Sequence, residues 1–230
     1  MNQNMENILQ KGIIAKESKQ FSEASSLFTQ AIIESIENEY PHGALHGLLN
    51  IGTIWKLKAR EGKTQEFGKL AYDSFLAARE YALENNLGTE EVIHATFLLG
   101  QAAFEIGNYD EAEKLYQESY DFYSKNVRSI AHLGDIKRHL GSAKIKLGKR
   151  DGVFLLQEAL NNIREFDEKD SYDKKNYVWE TGALLSLADA VRDEDKLKAV
   201  KYAQEALTIA TDKELVIRKE EAERMLHTLE

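Results

Sequence analysis

The chain has 230 residues, a formal net charge of −9, one proline, 14 glycines and no cysteine. The acidic balance argues against nonspecific binding to nucleic acid or an anionic membrane. The missing cysteines exclude disulfides, thiolate catalysis and thiolate metal sites, and the few prolines and glycines leave little punctuation for a β-rich fold.

Met1 to Gln10 is polar and lacks a basic region followed by an apolar core, so no secretory signal is expected. No apolar run approaches the ~18 residues of a membrane span. A cytoplasmic protein is expected.

The first helical pair is expected over residues 5–38. Gly12 is a small residue in mid-helix, Lys19-Gln20 makes the turn, and Phe21, Ala24, Phe28 and Ala31 carry the second helix. The next pair, 41–86, opens at Pro41, which suits a first helical turn. Leu48, Ile51, Gly52 and Trp55 form its first packing face, and Ala71, Phe75 and Ala78 the second. Gly52 and Ala71 are farther apart than their counterparts below by about two helical turns, so longer helices should meet near Glu61-Gly62-Lys63.

The segment 89–126 is the clearest. Thr96, Leu99, Gly100 and Ala103 recur at i, i+3, i+4 and i+7, one face of a helix. Gly107-Asn108 breaks the pattern, and Tyr109, Ala112, Leu115, Tyr116 and Ser119 begin a second helix. A mid-helix glycine costs about 1 kcal/mol against alanine, so Gly100 implies a close crossing, with Ala112 as its small counterpart and Tyr116 filling the gap beside it. In 128–166, Leu140-Gly141 and Gly148 mirror Leu99-Gly100 and Gly107, followed by Gly152, Leu156 and Ala159. A charged loop is expected from Phe166 to Lys175. In 172–210, Leu184, Leu187, Ala188 and Val191 make one helix. Ala199, Ala203 and Ala206 make the other, with no aromatic at the position of Tyr116. A final amphipathic helix over 213–229 reads as a cap.

A unit of about 34 residues pairing Leu-Gly in one helix with Ala and then an aromatic in the next resembles a tetratricopeptide repeat (TPR). The steps between Gly12, Gly52, Gly100, Gly141 and Ala188 exceed that period and resemble the longer-helix TPR variants of kinesin light chains and bacterial peptide-sensing regulators. The resemblance implies an all-α, TPR-like solenoid of antiparallel helix pairs with a C-terminal capping helix, one domain over 1–230. It implies a non-catalytic protein–protein interaction module that takes a peptide or partner helix in a concave groove. The alternative is a structural protein whose repeat faces drive self-assembly. Chaperone-binding TPRs hold a carboxylate with a Lys/Asn clamp on the first helices; Leu9 and Ile13 stand there, which sets that subclass aside.

No cofactor or catalytic site is expected. His42 and His46 have a spacing that can hold a metal, but no third ligand accompanies them and they read as a surface pair. His132, Asp135 and His139 read as a solvated helix face, and Trp55 and Trp179 as packing residues. The sequence has no Gly-rich phosphate loop and no serine nucleophile elbow.

The candidate groove lies on the first helices at i, i+4 and i+7. In chain order it comprises Leu9, Ile13 and Lys16; Leu49, Thr53 and Lys56; Phe97, Gln101 and Phe104; Arg138, Ser142 and Ile145; and Leu185, Asp189 and Arg192. Leu9, Leu49, Phe97 and Leu185 would form an apolar row, bordered by Lys16, Lys56, Arg138 and Arg192. Such a strip suits an amphipathic partner segment with acidic side chains. The competing reading packs Phe97 and Phe104 against a neighbouring helix.

Overall fold

The computed structural model describes residues 3–62, 64–127, 129–165 and 174–230. Among these residues lie eleven helices and no strand: α1 (Gln3–Glu17), α2 (Phe21–Glu37), α3 (Pro41–Gly62), α4 (Gln65–Glu84), α5 (Thr89–Glu105), α6 (Tyr109–Lys125), α7 (Ile130–Lys146), α8 (Asp151–Arg164), α9 (Lys174–Val191), α10 (Lys196–Asp212) and α11 (Val216–Leu229). Lys63, Arg128 and the expected loop from Phe166 to Asp173 lie outside the described residues. Lys174 and Lys175, expected in that loop, already belong to α9.

Most helices stop by one device. A residue in the left-handed region follows the last turn, and its own N–H and that of the residue after it return to that turn's carbonyls. After α1, Lys19 has φ 60°, Lys19 N donates to the Lys16 carbonyl and Gln20 N to the Ala15 carbonyl. The same pair of bonds closes α2 at Glu39, α4 at Asn86, α5 at Gly107, α7 at Gly148 and α10 at Glu214. Only Gly107 and Gly148 meet this backbone without a Cβ penalty.

Small residues set the hairpin crossings. A Cβ on Gly12 would lie 2.6 Å from Phe28 Cε1, one on Gly52 2.7 Å from Phe75 Cε1, and one on Gly100 2.9 Å from Tyr116 Cε1. The three aromatic rings are fully buried. In the α7–α8 hairpin the crossing closes backbone to backbone: a Cβ on Gly141 would stand 2.9 Å from the Gly152 carbonyl oxygen.

Two compact units result, Met1–Ser119 and Tyr120–Glu230, with the division inside α6. The first has a core around Phe28, Ala24 and Ile54 and another around Leu45, Phe75 and Leu99. The second is built on Leu156, Leu160, Ile163 and Leu184, and on Ala188, Ala199 and Leu229. In it α11 packs on α10 and α9 and closes the stack, with Ala222 and Leu229 buried, Arg218 and Glu221 turned inward as a pair, and Lys219, Glu223 and Arg224 exposed.

Candidate functional site

Within the first unit the first helices of the hairpins, α1, α3 and α5, lie side by side; within the second, α7, α9 and α11 do. Those rows carry the groove candidates. In the first unit Leu9, Leu49 and Phe97 are buried, Phe97 to 4% exposure. Its ring centroid lies 5.8 Å from that of Tyr116, and the Phe104 ring meets Tyr109 edge-on at 5.1 Å. Both phenylalanines therefore pack against α6, the second of the two readings. Lys56 and Gln101 are also buried, and Lys56 Nζ donates to Gln101 Oε1. Ile13, Lys16, Thr53 and Phe104 stay half-buried and are what this face presents.

Polar bridges join these first helices. Lys16 Nζ donates to Asn50 Oδ1 at 3.0 Å, Lys19 pairs with Glu61 at 2.6 Å, and Arg60 pairs with Glu105. Burial pushes the Lys16 ammonium below the ordinary lysine range, opposed by the more exposed Glu17 carboxylate 3.6 Å away. Across to the neighbouring helix, the hydrogen-bond partner of this desolvated ammonium is a neutral amide. Gln101, Asn50 and the burial of Lys56 carry no sequence signal beyond helical position, because a long polar side chain folds inward only when a neighbouring helix offers an acceptor.

In the second unit Arg138 and Leu185 are buried, Ser142, Ile145 and Asp189 are half-buried, and Arg192 is exposed. Arg138 grips Asp135 Oδ1 through Nε at 3.0 Å and Nη2 at 2.7 Å, and also contacts His139. Asp135 and His139 are themselves buried, which overturns the solvated face expected of them. The reason is local neutralisation: with Arg138 three residues on, the carboxylate can enter the interior as a hydrogen-bonded pair. Arg138 and Arg218 of α11 converge over the bare backbone of Gly182, where a Cβ would meet Arg218 Nη2 at 3.2 Å and Arg138 Cζ at 3.4 Å. Asp189 binds Lys146 at 2.9 Å and Arg192 at 3.1 Å. The cations Arg138 and Arg192, expected to border an open strip, are thus engaged by the unit's own carboxylates.

His132 stands between Tyr123, edge-on at 4.7 Å, and Trp179, stacked at 5.6 Å, with Lys175 Nζ 4.9 Å from the Trp179 ring. His42 Nδ1 lies 3.6 Å from Glu91, and His46 is exposed. Among the described residues no three His, Cys, Asp or Glu side chains are grouped to hold a metal ion, and no helix is long and apolar enough to cross a membrane.

No family model and no curated protein matches the chain. Solved structures do. A crystal structure of a Rap protein complexed with competence and sporulation factor superposes with a TM-score of 0.64 at 13% identity, covering 100% of this chain and 65% of that one. A crystal structure of a kinesin light chain from Podosopora anserina with nearly identical TPR-like repeats gives 0.59 at 14%, covering 92% and 96%. BtubC (BKLC) from P. vanneervenii gives 0.55 at 14%, covering 91% and 89%. At these identities the likeness shows the fold, a TPR-like helical repeat.

Proposed function

We propose that the chain is a non-catalytic protein–protein interaction module whose first-helix face in the first unit captures a peptide or partner helix. The observation that carries this is Lys16: a desolvated ammonium that donates to the neutral Asn50 amide and whose carboxylate neighbour, Glu17, stands 3.6 Å away and is largely exposed. An acidic side chain on a partner would complete its neutralisation, with Ile13, Thr53 and Phe104 as the adjoining half-buried surface. The Rap protein solved with competence and sporulation factor supports a binding role for this fold. In the second unit Arg138 and Arg192 hold carboxylates at 2.7 and 3.1 Å, closer than the 3.6 Å between Lys16 and Glu17, so the acidic preference is assigned to the first unit.

The test is affinity capture from the native host with the wild-type chain and with Lys16→Gln, beside light scattering on both. The reading expects a monomer and a defined partner lost from Lys16→Gln while helical content is unchanged. A tight dimer that dissociates in Lys16→Gln would instead establish the self-assembly alternative.

A further inference from the structure

The first unit has a second recessed surface, on the side of α2. It is an open groove of about 780 Å³ running along α2 and flanked by Trp55 and Lys58 of α3. It spans Phe21 to Glu34, about 20 Å of helix. Its polarity follows from the antiparallel α2–α3 crossing. A Cβ on Gly43 would touch Ser35, one on Gly47 would touch Ile32, and Glu61 binds Lys19. Lys58 therefore stands at the Phe21 end and Glu34 at the other.

Each end carries a charge that nothing among the described residues neutralises. Lys58 Nζ rests over two aromatic rings, 5.3 Å from the centroid of Trp55 and 5.5 Å from that of Phe67. Those rings stack on each other at 5.7 Å. Its N–H groups have no acceptor among the described residues. Glu34 accepts from two neutral amides, Asn4 Nδ2 and Gln30 Nε2, both at 3.0 Å, and pairs with no cation there. The two charges lie farther apart than the Debye length of about 8 Å at physiological salt, so a ligand meets them independently.

Between the ends, Ser22, Ser25, Ser26 and Thr29 form a floor of short side chains, and Ile33, 52% exposed, adds an apolar patch. Floor residues at i, i+3, i+4 and i+7 make a ridge that seats another helix at close distance.

We propose that this groove docks an amphipathic helix of about fourteen residues from a protein partner, bearing an acidic side chain at one end and a basic one at the other. The acid meets Lys58, the base meets Glu34, and the apolar stripe covers Trp55 and Ile33. The surface is separate from the Lys16 face, so its occupancy does not depend on what that face binds.

The test uses a synthetic, hydrocarbon-stapled helical peptide of that design, labelled for fluorescence anisotropy against the full chain. Saturable binding is expected, weakened about tenfold by Lys58→Gln, abolished by Ser26→Trp, and unchanged by Lys16→Gln. A second peptide with lysine at both ends should bind the wild type about tenfold more weakly and recover on Lys58→Glu. The comparison of the two peptides on the wild type changes only the ligand, so it holds even if a protein variant folds poorly. No saturable binding up to about millimolar peptide, or binding indifferent to both Ser26→Trp and the peptide's charges, would overturn the proposal. So would a homodimer in light scattering that Ser26→Trp dissociates, because the occupant would then be a second copy of the chain.

Discussion

Gly100 of α5 lies against the ring of Tyr116 in α6, so close that a Cβ on the glycine would stand 2.9 Å from Cε1. Neither can grow without moving the other, because Tyr116 is fully buried and Ala112 is buried beside it. Gly100→Leu should therefore destabilise by about 3 kcal/mol or more, at the upper end of overpacking costs. Ala112→Arg should be at least as severe, since it buries a charge. His42→Ala, at a half-exposed site, should change stability by no more than about 0.5 kcal/mol. Urea melts rank the three, and a ranking with His42→Ala worst would contradict the packing described.

The Gly100 crossing was legible in the sequence, as were Gly12 against Phe28 and Gly52 against Phe75, because a glycine inside a helical pattern has few explanations. The burial of Leu9, Leu49, Lys56, Phe97, Gln101, Arg138 and Leu185 was not. A stripe such as Phe97, Gln101 and Phe104 has the same periodicity whether it faces solvent or a neighbouring helix; Phe97 is buried against Tyr116, and Phe104 meets Tyr109 and stays half-buried. Asp135 and His139 were misread for a related reason: polarity signals solvent only until a partner such as Arg138 is placed beside it.

Helix ends divide the same way. Gly107 and Gly148 announce a left-handed cap, whereas Glu39 and Glu214 adopt φ of 53° with no such signal. The left-handed backbone costs a residue with a Cβ about 1 kcal/mol or more. Glu39→Gly and Glu214→Gly should each stabilise the chain by about 0.5–1 kcal/mol, and Gly107→Val should destabilise it by more. Thermal melts of the three variants check the signs.

Phe97 belongs to the core. Phe97→Ala should cost about 3–5 kcal/mol, the usual range for emptying a buried aromatic site. Phe104→Ala, at a half-buried ring, should cost less. Denaturant melts of the single variants separate them; equal, small losses would return Phe97 to the surface.

Tyr72 gives a pH signature. Its hydroxyl donates to Glu111 Oε1 at 2.6 Å, and that bond pushes its pKa from 10.0 up to about 12. The folded state then holds the phenolic proton more tightly than the unfolded chain. Its contribution is full below the unfolded value of 10.0 and is lost as pH rises toward about 12. Stability of the wild type should fall more steeply than that of Tyr72→Phe across this window, as measured by urea melts at matched pH. Parallel curves would show that the hydrogen bond does not form.

The binding role of the first-helix face is tested most directly by a photo-crosslinking residue at Thr53, between Ile13 and Phe104, in the native host. Mass spectrometry should identify a discrete protein crosslinked at Thr53 through an acidic segment, and Lys16→Gln should abolish the adduct. Adducts formed only with other copies of the chain, or a partner adduct indifferent to Lys16→Gln, would contradict the account.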